Sequence, residues 1–220
     1  MNTPVYFYAM PNHLLMAHWL YKLIESIKAW DTWLFLKVNT QWTNTFMDSV
    51  FPWWRDGATW VPLYLFLLLF MLMNFGSRAW IWIAFTIITI TLTDQVSSSL
   101  LKNLIARPRP CADEHLWMHV RMLLGHCSGE FSFPSSHATN HFGITTFWVI
   151  TLKEVLGKWR WLFWSWAITV SYGQIYVGVH YPVDVLSGAL LGMLLGWLMA
   201  SLYLKGNKGF QLPITQEAAA

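Results

Sequence analysis

The sequence predicts an all-α, polytopic transmembrane helix bundle of five spans, or six, preceded by N-terminal amphipathic helices lying in the membrane interface. Three observations carry this. Of 220 residues, 55% are hydrophobic and only 11% charged, less than half the roughly 25% charged residues of a soluble domain. Five segments, near 58–75, 79–100, 137–155, 159–177 and 183–204, approach the ~20 apolar residues that a helix needs to cross a hydrocarbon core of about 30 Å. The 16 Trp and 8 Tyr cluster at the ends of these runs, as in Trp53-Trp54, Trp80/Trp82 and Trp159/Trp161/Trp164/Trp166, where amphipathic rings suit the headgroup layer. The net charge of +3 forms no basic patch, so no nucleic-acid partner is expected.

Taken in order, residues 1–56 form an N-terminal unit, 57–205 a transmembrane domain and 206–220 a cytoplasmic tail. The start, MNTPVYFYAMPNH, lacks the basic and apolar regions of a cleavable signal peptide. Over 13–50, Lys22, Glu25, Lys28, Asp31 and Lys37 interrupt the apolar pattern and Pro52 follows, which reads as interfacial helices, with a sixth, tilted span as the alternative. The turns at 76–78 and 153–160 and the tail carry Arg78, Lys153, Lys158, Arg160, Lys205 and Lys208 against Glu154 and Glu217. That bias makes this face cytoplasmic. The long loop 103–135 and the turn 178–182 then lie on the outer face. Cys111 and Cys127 are both in that outer loop, where a disulfide would constrain the chain by about 3 kcal/mol. A metal site with His115, His119 and His126 is the competing reading, but the spacing matches no compact zinc pattern.

Three runs at the outer ends of the spans hold the candidate chemistry. In Lys102-x6-Arg109-Pro110, the prolines end the helix near Ala106 and leave Arg109 on a rigid Arg-Pro-Arg-Pro strip. Two cations snorkelling at an interface are the plainer reading. In Pro134-Ser135-Ser136-His137, Ser135 or Ser136 suits an N-cap, the first-turn N–H groups form an anion site, and His137 opens the helix. His141, one turn on, reads as a packed neighbour, a metal pair with His137 lacking a third convincing ligand. In His180-Tyr181-Pro182-Val183-Asp184, Pro182 starts a helix and puts Asp184 in its first turn, where it can take the Nδ1–H of His180 and leave Nε2 facing outward as a nucleophile. A structural His–Asp pair is the alternative for that run. Asp94, two turns before Lys102, fits a supporting polar network with Gln95, Ser97, Ser98 and Ser99.

Together with Gly173-Gln174, these runs resemble, in order and spacing, the three signature motifs of the type 2 phosphatidic acid phosphatase superfamily, over about 100–185. The resemblance implies a membrane lipid phosphatase needing no metal or other cofactor. Its substrate would be a lipid phosphate such as phosphatidic acid, phosphatidylglycerophosphate, undecaprenyl pyrophosphate or lipid A. It implies that His180 attacks phosphorus, Asp184 orients His180, and His137 protonates the leaving oxygen. Lys102, Arg109, Ser135 and the Ser136 N–H would hold the phosphoryl oxygens. With the outer face set by the loop charges, the site is expected to open to the outside or periplasm of a bacterial inner membrane. A phosphotransferase, or a binding or transport homologue without turnover, is the alternative.

Two positions depart from the family pattern. Ser136 stands where Gly is usual, which a backbone N–H role tolerates. Gly173 and Gln174 stand where Ser-Arg is usual, and an amide lacks the charge and fork of a guanidinium. Arg107, or Gln174 itself, is the candidate expected to complete the phosphate cradle.

Overall fold

The computed structural model describes residues 12–127, 129–207 and 209–210. The extreme N-terminus read for a leader, Lys208, and the tail past 210 lie outside the described residues. Among the described residues seven helices make up the framework: α1 (Asn12–Leu36), α2 (Thr45–Trp54), α3 (Val61–Phe75), α4 (Ser77–Ile105), α5 (Ser136–Thr151), α6 (Arg160–Tyr176) and α7 (Pro182–Gly206). Among the described residues three stretches are long and apolar enough to cross a membrane unaided, Gly57–Phe75, Ser77–Ile105 and Pro182–Gly206. Helices α5 and α6 are shorter, at 16 and 17 residues. Buried side chains run along nearly all of α5, so it is screened by its neighbours and tolerates the Thr, Asn and His that lower its hydropathy.

Local chemistry sets where each helix begins and ends. Asn44 caps α2 by accepting the Met47 N–H, Pro182 opens α7, and Ser135 caps α5 by accepting the Ala138 N–H. Helix α4 widens to π-helical winding over Gln95–Leu101 and stops at Ala106, which takes a left-handed conformation with φ 49°. The following Arg107-Pro108-Arg109-Pro110 strip folds back, with Pro108 bridged to Phe131. Cys111 and Cys127 are joined as a disulfide across this outer loop, which removes both thiolates from any metal set.

Helices α5 and α7 lie closest together. A Cβ on Gly192 would collide with the backbone of Thr139 and Gly143, and one on Gly188 with the Ser135 carbonyl. This glycine spacing, continued by Gly196, lets the two backbones touch, as small residues do between membrane helices. Their N-termini therefore abut, and the Ser135 N–H donates to the Asp184 carbonyl at 3.0 Å. An aromatic core of Trp82, Phe147, Trp148, Trp166, Tyr203 and Phe210 fills the other end of the bundle.

The N-terminal helices are fastened to the site end. Buried Asn39 donates to the Arg121 and Tyr176 carbonyls and accepts the Arg121 N–H. Arg121 and the Tyr176 hydroxyl both reach Asp48 on α2, at 2.7 and 2.6 Å. Phe35 packs on Tyr181, and Phe51 packs on Tyr172 and Tyr176.

Candidate active site

All three sequence runs meet at one end of the bundle, where the last turn of α4, the start of α5, the end of α6 and the start of α7 converge. His180 sits in the turn before α7, fully enclosed, and Gly178 makes the turn with a φ of 94°. The Gln174 carbonyl accepts the N–H groups of Val179 and His180, so the end of α6 holds that turn in place.

The hydrogen-bond network fixes the His180 tautomer. Arg109 Nη1 lies 3.2 Å from His180 Nε2, and a guanidinium can only donate, so Nε2 carries the lone pair. The ring proton is then on Nδ1, which faces Asp184 Oδ2 at 3.6 Å, slightly longer than a hydrogen bond. Burial pushes the His180 imidazole down to about 4, Asp184 opposing the drop and Arg109 and Lys102 adding to it. The His180 ring is thus neutral at physiological pH.

Asp184 is held on every side. Its Oδ2 accepts the Tyr181 N–H at 2.9 Å and its Oδ1 accepts from Arg107 Nη1 at 2.7 Å. The other terminal nitrogen of Arg107 donates to Asp31 on α1 at 2.7 Å, Asp31 also accepts the Val183 N–H, and the guanidinium lies 3.9 Å from the Tyr181 ring centroid. Arg107 was one candidate expected to complete the phosphate cradle, and the structure places it against Asp184 instead of giving it a free terminal nitrogen. Its two terminal nitrogens are committed to two carboxylates, Asp184 and, behind it, Asp31, so Arg107 holds Asp184 in place.

The remaining cations lie around His180. Arg109 is buried, donates to the Val179 carbonyl at 3.1 Å, and lies within electrostatic reach of Arg55. Lys102 is within electrostatic reach of Arg109, Asp94 and Asp184. Ser135 and Ser136 stand at the N-terminus of α5, with the Ser136 hydroxyl buried and without a hydrogen-bond partner among the described residues. Gln174 is buried at the edge of this group, its Oε1 accepting from Arg55 Nε at 3.0 Å and its Nε2 unpartnered. Sequence reasoning missed Arg55 and the role of Asp31. Each lies far from the motifs in sequence, and the one available cue was the missing motif arginine.

His137, in the first turn of α5, borders a cavity of about 260 Å³ that also touches Gly57, Tyr64, Ile90, Asp94, Ser136, Asn140, His141 and Ile144. Through Tyr64, Ile90 and Ile144 it shares a wall with a 330 Å³ apolar groove between α3 and α4 that includes Leu67, Leu68, Ile83, Ile87 and Trp148. Asn140 Nδ2 donates to Asp94 Oδ1 at 3.1 Å, which turns Asn140 Oδ1 away as an unpartnered acceptor. His141 Nδ1 lies 2.8 Å from the His137 carbonyl and must donate, leaving His141 Nε2 another unpartnered acceptor. The ring packs on Trp166, as expected of a neighbour to His137. Asp94 also takes the Ser98 hydroxyl, so it supports the site through a polar network.

A buried imidazole with its lone pair among cations, a second imidazole beside a cavity, and an apolar groove alongside suit phosphoryl chemistry at a membrane. Comparison with known proteins agrees. The PAP2 superfamily model matches residues 79–208, and the chain belongs to that superfamily, as a membrane lipid phosphatase. It is 35% identical over 181 residues to the lipid A 4'-phosphatase of Bacteroides thetaiotaomicron, over 80% of this chain and 78% of that one. The crystal structure of Aquifex aeolicus LpxE is similar with a TM-score of 0.56 at 26% identity, over 76% of this chain and 93% of that chain. The PAP2-type phosphatidylglycerolphosphate phosphatase of Bacillus subtilis shares the fold with a TM-score of 0.64 at 22% identity, over 87% of this chain and 96% of that one.

Proposed function

We propose that this chain removes a phosphate monoester from a phosphorylated glycolipid of the lipid A type, through a phosphohistidine on His180. His180 Nε2 attacks phosphorus while Asp184 stabilises the positive ring, and the P–O bond to the sugar breaks as His137 gives its proton to the leaving oxygen. Water, deprotonated by His137, then attacks the phosphohistidine, releasing phosphate and restoring His180. Lys102, Arg109, Ser135 and the Ser136 N–H hold the phosphoryl oxygens as charge builds in the transition state. No step requires a metal.

The observation that carries the substrate reading is the wall of acceptors beside His137. Asp94, Asn140 Oδ1 and His141 Nε2 border the space next to the proposed general acid, two of them buried without partners. A leaving group bringing hydroxyl or amide N–H donors satisfies them, whereas a second phosphate meets the Asp94 carboxylate. The adjoining apolar groove suits acyl chains. The similarity to lipid A 4'-phosphatase points the same way.

The site opens to the periplasmic side of a bacterial inner membrane, a reading supported by the basic inner turns and by the disulfide in the loop over the site. Helix α1, with Trp19, Trp30 and Trp33 exposed, rides in the interface of that face as part of an N-terminal unit. Phosphate release from lipid A, phosphatidic acid, phosphatidylglycerophosphate and undecaprenyl pyrophosphate, assayed with Asn140→Ala beside the unaltered enzyme, tests the substrate reading. The glycolipid should be preferred and Asn140→Ala should erode the preference by about tenfold. Equal turnover of all four lipids overturns it.

A further inference from the structure

The family pattern places an arginine at the end of α6, and this chain has Gln174 there, so the phosphoryl site described above is one cation short along its own motif. The geometry points to Arg55, delivered by the N-terminal segment at the end of α2, as the residue that supplies that cation to the phosphoryl group, with Gln174 as its tether. The inference rests on reading the cradle as a phosphoryl site.

Two departures from the motif are explained by one arrangement. Gln174 Oε1 accepts from Arg55 Nε at 3.0 Å, which fixes the guanidinium and leaves its terminal nitrogens without hydrogen-bond partners among the described residues. At the preceding position, a Cβ on Gly173 would lie 3.1 Å from the Phe51 ring and 3.4 Å from Arg55 Cβ. The serine usual there would press on the end of α2, while glycine lets α2 seat against α6. Gly173 admits Arg55 and Gln174 holds it.

The charges around Arg55 show what it awaits. It lies within electrostatic reach of Arg109 and His137. Burial draws Arg109 down to about 10, and Arg55 adds to the drop. Asp56 offsets part of the Arg55 charge while accepting the Ala58 N–H. Arg109 thus meets the like charges of both Lys102 and Arg55, beside His180 and His137, a repulsion that a phosphoryl dianion would relieve. Because Arg55 comes from outside the motif-bearing helices, docking of α2 through Asp48, Tyr176 and Phe51 is part of building the catalytic centre.

The test combines removal with relocation. Arg55→Ala should lower kcat/KM by roughly tenfold to a hundredfold, the worth of a charge-assisted contact, and should weaken inhibition by inorganic phosphate by a similar factor. Adding Gln174→Arg to that variant restores the usual motif cation and should recover about tenfold or more of both losses. Arg55→Gln keeps an amide for Gln174 and should show the same loss should the alanine variant fold poorly. Phosphate inhibition within about threefold of the unaltered enzyme in Arg55→Gln overturns the inference, as does failure of Gln174→Arg to recover any of it. His180→Ala separates the two readings. If it still hydrolyses lipid phosphate, the site assignment itself fails; if it is inactive while Arg55→Gln is silent, only the role of Arg55 falls.

Discussion

Arg107→Ala removes the shared partner of two carboxylates that water barely reaches, Asp31 at 1% and Asp184 at 0% exposed. Each contact is 2.7 Å long, and removing one partner of a buried pair costs about 3–5 kcal/mol because the remaining charge is uncompensated. Val183 and Tyr181 still donate N–H groups to the two carboxylates, so the lower end, about 3 kcal/mol, is expected. That corresponds to a fall on the order of 10 °C in the unfolding midpoint, readable by tryptophan fluorescence in detergent. Asp31→Asn in the same chain removes one orphaned charge and should return about 1.5 kcal/mol, the coupling between the sites. Since Arg107 grips Asp184 and not the substrate, kcat should fall while phosphate inhibition stays within about threefold. A variant of undiminished stability whose phosphate inhibition weakens tenfold or more would return Arg107 to the cradle and refute this reasoning.

Three other outcomes follow from the same contacts. Paired Cys111→Ser and Cys127→Ser replacement opens a bridge spanning 16 residues and should cost about 3 kcal/mol, seen as a lower unfolding midpoint; an unchanged midpoint contradicts a structural bridge. Gly192→Ala, whose Cβ would meet the α5 backbone, should destabilise the protein or abolish its folding, whereas Gly206→Ala, with nothing within 4 Å, should be silent; comparable yields and midpoints for both contradict the close α5–α7 approach. The folded-state His180 value of about 4 lies below the usual 6.5, so the ring stays neutral as pH falls to about 5 and nucleophilicity is lost through about 4. Histidine-selective NMR should find that titration near 4, and a midpoint near 6.5 would contradict a buried, cation-flanked ring.

The helices and the chemistry were legible in the sequence to different depths. Apolar run lengths placed α3, α4 and α7 closely, and Ser135, Pro182 and the 106–110 strip marked helix ends through backbone rules that act locally. His180, Asp184, His137, Lys102 and Arg109 stood out as candidates because they sit in short runs with fixed spacing, and the structure brings those runs to one end of the bundle. What could not be read was which cation faces which anion. Arg107 and Arg109 are two residues apart on one strip, yet one points to Asp31 and Asp184 and the other to His180. That split depends on Asp31, 76 residues away. Arg55 lies 119 residues from Gln174, and only the packing of α2 on α6 joins them. The acceptor wall was equally hidden, since it arises from the amide and ring orientations imposed by Asp94 and the His137 carbonyl.

The central claim is that the phosphoryl group passes through His180. Purified protein mixed with lipid substrate labelled in its phosphate and quenched within milliseconds should yield a labelled protein that is stable in base and labile in acid, with the label on His180. His180→Ala should carry none and release no phosphate. Label on another residue, or undiminished phosphate release by His180→Ala, would contradict the account.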